Sequence, residues 1–316
     1  MRKIHLSCTS GTITRPFDLP RMKIFCFITL FIGFTMQSIA QTAQSEKLKT
    51  AIEAKLNSVE GEFAVAFKDL QTGKTLFINE RESFHAASTM KTPVMIEVFK
   101  QAKAGKFKLT DSIVVKNEFK SIVDGSPFSL DISDDSADEM YKKIGQKMTI
   151  YDLTYQMIIV SSNLATNILI DLVDAKNTNG TMRTLGANDI QVLRGVEDSK
   201  AFRLGMNNTV TAYDLMLIFE KLAQGKVVSK KDSERMIKIL LDQKFREKIP
   251  AKLPAGVKVA HKTGSITGVQ NDSGIVYLPD GRKYVVVLLS RKLTDEKKGV
   301  EALADVSRMI YDSLQQ

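Results

Sequence analysis

The strand-forming runs of this 316-residue chain stand near its two ends. "EFAVAFKDL" (62–70) and "TLFIN" (75–79), parted by the turn "QTGK", open the pattern, and "GVKVAHKTG" (256–264), "SGIVYLPDG" (273–281) and "KYVVVLLS" (283–290) close it. These are β-branched and aromatic runs bounded by turn residues. The stretch between them has helical periodicity. "TPVMIEVFKQAKAG" (92–105) carries Pro93 in its first turn and ends at Gly105. "TIYDLTYQMIIV" (149–160) and the run from Thr211 each place an aspartate three residues after a capping threonine. "NLATNILIDLVD" (163–174) and "SKKDSERMIKILLDQ" (229–243) follow the same period, as do 45–57 and the final 299–316. Strands so far apart bury their apolar faces only by meeting in one sheet. The expected class is α+β: an α/β/α sandwich whose antiparallel sheet is built from both termini, with an all-helical subdomain inserted. The acidic "LDISDDSADEMYKK" (130–143) reads as a solvated loop or an extra helical piece.

Residues 22–40, "MKIFCFITLFIGFTMQSIA", have a lysine, an apolar run and a small-residue site at Ser38-Ile39-Ala40. That is the layout of a secretory signal peptide, and the run is short for a membrane span. The domain expectation is therefore an N-terminal extension and signal peptide over 1–40, cleaved near Ala40, then one catalytic domain over 41–316. Met22 competes with Met1 as the start. Both cysteines, Cys8 and Cys26, fall in the removed part, so the remainder has no thiol chemistry. Five basic and one acidic side chain also lie there, which leaves +5 of the formal +9. The lysines are scattered and no aromatics interleave them, which excludes a nucleic-acid footprint.

Three short patterns could carry chemistry. Ser88 stands three residues before Lys91, one helical turn along the same face. At a helix start, unpaired amides favour an alkoxide or oxyanion. A lysine kept neutral by burial can accept the serine proton. The competing reading is a capping serine beside an exposed lysine. In "VSSNLATN", Ser161 could relay a proton, and Asn163 could bind a substrate amide or orient the lysine; as local structure it is a helix cap. In "HKTGS", Lys262 offers charge, Thr263 a hydroxyl, and Gly264 a close approach to the backbone. It also reads as an edge strand with a protective lysine.

Taken together and in this order, Ser-x-x-Lys, Ser-x-Asn and Lys-Thr-Gly make the chain resemble a class A β-lactamase of the penicillin-binding-protein superfamily, over about residues 45–316. The resemblance implies roles. Ser88 would be the acylated nucleophile, Lys91 its proton partner and Ser161 the relay. Asn163, Lys262, Thr263, Gly264 and Ser265 would bind substrate, with the backbone amides of Ser88 and Ser265 as the oxyanion hole. Glu197, 36 residues after Ser161, would activate the deacylating water, and Asn167 would support its loop. Read on its own, Glu197-Asp198 is equally a charged surface turn.

The chain departs from the family at several points. Ser162 replaces the usual aspartate, an extra stretch separates Ser88 from Ser161, and Gly125 stands where an aromatic often walls the pocket. "RGVE" carries one more residue before the glutamate than usual, the asparagine that helps hold the water is missing, and no arginine follows "KTG". His85 has no carboxylate partner in sequence to make a triad, and no histidine cluster suggests a metal. The expected activity is hydrolysis of β-lactam amides through an acyl-enzyme, by a periplasmic or secreted monomer without cofactor, metal, nucleic-acid or membrane partner. A D,D-peptidase or related peptidoglycan hydrolase or esterase is the alternative on the same fold. A non-catalytic binding domain is the third reading.

Overall fold

Side chains on successive strand residues point to opposite faces, so alternation decides the layering. In the computed structural model, which describes residues 44–315 together with Gly11, β1 (Glu62–Asp69) sends Phe63, Val65 and Phe67 to one core and Ala64 and Ala66 to another. β2 (Thr75–Ile78) returns antiparallel to β1. The turn between them is held by Asp69, whose carboxylate accepts from the Gln71 amide at 2.9 Å, and by Gly73 at φ 76°. The remaining strands of this five-stranded sheet come from the far end of the chain: β3 (Lys258–Ile266), β4 (Val269–Tyr277) and β5 (Lys283–Arg291). The order across the sheet is β2-β1-β5-β4-β3, every pair antiparallel. Val65 stands opposite Leu288 and Ala64 opposite Leu289, so β1 and β5 join the two ends at the middle of the sheet.

One face of the sheet packs Phe63, Val65, Val286 and Leu288 against Ile52 and Leu56 of α1 (44–57) and Leu303, Val306 and Ile310 of α9 (Glu296–Ser313). The other face, with Ala64, Ala66, Val285, Val287 and Leu289, merges into the core of the inserted helices. These are α2 (Lys91–Lys103), α3 (Ile150–Ile159), α4 (Asn163–Val173), α5 (Ala175–Thr184), α6 (Ser199–Arg203), α7 (Ala212–Ala223) and α8 (Lys230–Leu241). The α/β/α sandwich with an inserted helical part is thus the observed architecture. Thr149 and Thr211 cap α3 and α7 by accepting from the amides of Asp152 and Asp214.

Two local expectations are corrected, and two further helices appear. β4 begins at Val269, four residues before "SGIVYLPDG", because Gln270 to Ser273 are polar yet buried. α5 and α6 are short helices not expected from the sequence, each N-capped by a carboxylate: Asp174 accepts from Lys176 N and Asp198 from Ala201 N. The acidic stretch is two short 3-10 turns, Ile132–Asp134 and Asp138–Lys143, and it is not wholly solvated: Asp135, Ala137 and Met140 are buried.

The chain divides into the units Met1–Glu46 and Lys47–Gln316. The signal peptide, Cys8, Cys26, Met22 and the cleavage site near Ala40 lie outside the described residues. Among the described residues no helix is long and apolar enough to cross a membrane. Leu288 is fully buried in the centre of the sheet. Leu288→Ala is expected to lower the unfolding free energy by about 3 kcal/mol in a denaturant titration, whereas exposed Lys297→Ala should change it by less than about 0.5 kcal/mol.

Candidate active site

The site forms where the inserted helices meet the β3 edge of the sheet. Ser88 lies in a 3-10 turn, Ala87–Met90, that runs directly into α2, so Lys91 is the first α-helical residue. Ala87 has φ 43°, a left-handed conformation uncommon for a residue with a Cβ. The turn is tied down from two sides: Thr89 Oγ1 donates to Ala86 O at 2.6 Å, and Asn271 Nδ2 of β4 donates to His85 O at 3.0 Å. Ser88 itself is half-buried.

Lys91 is completely buried. Its Nζ lies 2.7 Å from Ser161 O, 3.2 Å from Ser161 Oγ and 2.9 Å from Asn163 Oδ1. All three contacts run to the α3–α4 junction rather than to Ser88. Ser161 has φ 58°, which turns the chain sharply and lets its carbonyl and hydroxyl point the same way. Lys262 of β3, also fully buried, donates to the same Ser161 Oγ at 3.0 Å and to Thr263 O at 2.8 Å. Two lysines therefore converge on one hydroxyl. Burial pulls the Lys91 pKa down to about 7, against the opposing pull of the Asp135 and Glu197 carboxylates. Lys262 is lowered well below an ordinary lysine by burial first, and then by the charge of Lys91.

A neutral Lys91 fits this network. It would donate to Ser161 O and Asn163 Oδ1 and accept from Ser161 Oγ–H, while Lys262 Nζ donates to that oxygen's lone pair. The hydroxyl then connects the two amines, and a proton can pass along it.

Gly264 explains how close β3 comes. A Cβ at this position would lie 2.8 Å from Ser88 N, 3.0 Å from Thr89 N and 3.1 Å from Ala86 O. Only a glycine lets the strand backbone lie against the Ser88 turn. The next residue, Ser265, is exposed, and its hydroxyl donates to Gln270 Oε1 at 2.8 Å.

Glu197, half-buried and at φ 61°, closes the site from the loop before α6. Asn163 Nδ2 donates to its Oε1 at 2.7 Å and the Asp131 amide to its Oε2 at 3.3 Å. Burial raises its pKa, and the Asn163 hydrogen bond works the other way. The loop is pinned by Asn167, which accepts from Val196 N at 2.7 Å and donates to Val196 O at 3.0 Å. A Cβ on Gly195 would meet Asn167 Oδ1. So Ser161, Asn163, Lys262 and Glu197 reach Lys91 or each other directly, Gly264 abuts the Ser88 turn, and Asn167 acts through the loop.

Several groups escaped the sequence reading. Lys248, in the loop after α8, is buried, and its Nζ donates to Ser265 Oγ at 2.9 Å. It lies in an unpatterned "REKIP", so no local signal marked it. His261 does have a carboxylate: its Nδ1 lies 3.0 Å from each oxygen of buried Asp272, which also accepts from Ile249 N. That pair braces the strand behind Lys262. His85, whose Nδ1 accepts from Ala87 N, has its pKa lowered by burial and then by Arg194. Gly125 sits in the turn after Ser121, at φ 71°.

The fold has counterparts among known proteins. The model of the beta-lactamase enzyme family matches residues 47–314. Beta-lactamase VEB-1 of Pseudomonas aeruginosa is 23% identical over 305 residues, covering 92% of this chain and 97% of its own length. A solved beta-lactamase from Sphaerobacter thermophilus is 28% identical with a TM-score of 0.71, covering 86% of this chain and 97% of that one. A PBP-A mutant solved as an acyl-enzyme complex with penicillin-G is 25% identical, with a TM-score of 0.72 and coverage of 87% and 97%. The chain therefore belongs to the β-lactamase enzyme family, among its class A serine enzymes.

Gly264→Ala forces the Ser88 turn and β3 apart and should cost about 1–3 kcal/mol in thermal or denaturant unfolding. Gly180→Ala, in helix α5 with nothing within 4 Å of the added methyl, should instead stabilise by about 0.5–1 kcal/mol.

Proposed function

We propose that the chain hydrolyses β-lactams through an ester on Ser88. The observation that carries this is the Ser161 hydroxyl shared by two buried lysines, one of them with a pKa of about 7. Ser88 Oγ attacks the lactam carbonyl carbon, and its proton goes to neutral Lys91. The Ser88 and Ser265 amides hold the oxyanion. As the C–N bond breaks, Ser161 passes a proton from Lys91 to the departing nitrogen. Glu197 then takes a proton from water, whose oxygen attacks the ester. The Ser88–carbonyl bond breaks, and the proton returns to the serine oxygen.

Asn163 serves two partners, Lys91 through its carbonyl and Glu197 through its amine, and orients acylation and deacylation groups together. Thr263, Ser265 and Lys262 receive the substrate carboxylate. Lys248 adds the second cation there, in place of the arginine missing after "KTG". Asn167 keeps the Glu197 loop in register. The enzyme acts as a periplasmic or secreted monomer without cofactor, delivered by the signal peptide within 1–40 and leaving 41–316 as its catalytic domain.

A second reading, a D,D-peptidase or related peptidoglycan hydrolase, is favoured by the similarity to PBP-A, solved with penicillin-G as an acyl-enzyme. The two differ in the fate of the ester. On the first reading, unmutated protein turns over nitrocefin. On the second, it keeps a long-lived penicillin adduct.

Mass spectrometry of protein mixed with penicillin tests both steps. Ser88→Ala should gain no adduct, and label elsewhere would contradict the assignment. Glu197→Gln should accumulate the Ser88 adduct, with deacylation slowed on the order of 10³-fold. Acylation should rise with pH through about 7, as Lys91 loses its proton, and level off above. Lys248→Met should raise KM roughly tenfold with little change in kcat; the opposite split would remove Lys248 from the carboxylate site.

A further inference from the structure

The start of α4 has a hydrogen-bonding deficit that its own sequence does not fill. Ser162, the N-cap, accepts only from the third helical amide, Ala165 N, at 3.2 Å. The first turn holds no acidic residue. The half-buried amide of Asn163 and the buried amide of Leu164 would be orphans beside the positive end of the helix dipole. Both are satisfied by one atom from another part of the chain. Asp135 Oδ2 accepts from Asn163 N at 2.9 Å and from Leu164 N at 2.9 Å, with the Ser162 hydroxyl at 3.4 Å. Its other oxygen accepts from Ala137 N at 3.1 Å, and the residue is 8% exposed.

We propose that Asp135, carried by the acidic segment between Ser88 and Ser161, is a positioning residue for the catalytic junction. Its carboxylate fixes the backbone from which Ser161 and Asn163 meet Lys91. It does from a distant segment what Ser162, lacking a carboxylate, cannot do from within the junction. The neighbouring backbone continues the grip: Asp134 O accepts from Asn163 Nδ2 at 3.1 Å, and the Asp131 amide donates to Glu197. The segment thus touches the groups for both steps.

The same charge acts on the proton acceptors. Around Lys91 stand Ser161, Asn163, the Lys262 amine and the Glu197 and Asp135 carboxylates. Around Asp135 and Glu197 stand Asp131, Asp134 and the Tyr141 phenol. Asp135 favours the ammonium form of Lys91 and disfavours the carboxylate form of Glu197. Removing its charge therefore makes both groups lose their protons at lower pH.

This inference rests on the proposed acylation of Ser88, and the test separates the two. Single-turnover labelling by a fluorescent penicillin is followed from about pH 5 to about pH 9 for wild type, Asp135→Ala, Asp135→Asn and the exposed control Asp138→Asn. Asp135→Ala should slow labelling on the order of tenfold to a hundredfold. Asp135→Asn keeps an acceptor oxygen without the charge. It should retain more of the rate, with the midpoint of the acid limb moved to lower pH. Asp138→Asn should match wild type in both. An Asp135→Asn protein with the wild-type rate and midpoint would overturn the proposal, even if Asp135→Ala fails to fold. A midpoint moved to higher pH would do the same. Failure of the wild-type protein to label would strike the acylation reading instead.

Discussion

Two buried amines, Lys91 and Lys262, meet at one hydroxyl, and much of the molecule exists to make that meeting tolerable. In a low-dielectric interior two ammonium groups so close cannot both stay charged without large cost. The arrangement resolves this by letting one go neutral, and a neutral lysine is the reagent a serine nucleophile needs. The sandwich brings the partners from three places. α2 supplies Lys91, the α3–α4 junction supplies Ser161, and the edge strand β3 supplies Lys262. The edge position matters, because β3 pairs with β4 on one side only and leaves its other side free to lie against the Ser88 turn.

The surrounding charges set how far that neutralisation goes. Burial pushes Lys91 down, and Asp135 and Glu197 hold it back, which leaves it near neutrality rather than permanently uncharged. Three of the seven non-glycine residues at positive φ among the described residues fall at the same spot. Ala87, Ser161 and Glu197 are all non-glycine residues at positive φ, each costing about 1–3 kcal/mol. They are the residue before the proposed nucleophile, the proposed relay and the proposed water base. The large apolar cores on both faces of the sheet over-determine these positions, so the backbone cannot relax out of them.

Much of the architecture was legible in the sequence because β1 and β5 are continuous apolar runs, buried on both faces and bounded by turn residues. The start of β4 was not, because Gln270, Asn271, Asp272 and Ser273 look like a loop. Their polar groups are satisfied by distant partners: Asn271 by His85 O and Ser290 N, and Asp272 by His261 and Ile249 N. A pattern that equates polar with exposed cannot see such a strand. The same limit governs the site. Ser88 and Lys91, Ser161 and Asn163, and Lys262 to Ser265 are marked by fixed short spacings. Lys248 and Asp135 act across long sequence separations with no local motif, so only the folded chain reveals them.

The central claim is that Lys91 is an amine of near-neutral pKa, held against Ser161. NMR titration of lysine side-chain signals, with Lys91 assigned through Lys91→Arg, measures it directly. The account requires one buried lysine to lose its proton near pH 7, far below the surface lysines. A Lys91 signal that stays protonated up to about pH 10, like an ordinary lysine, would contradict it.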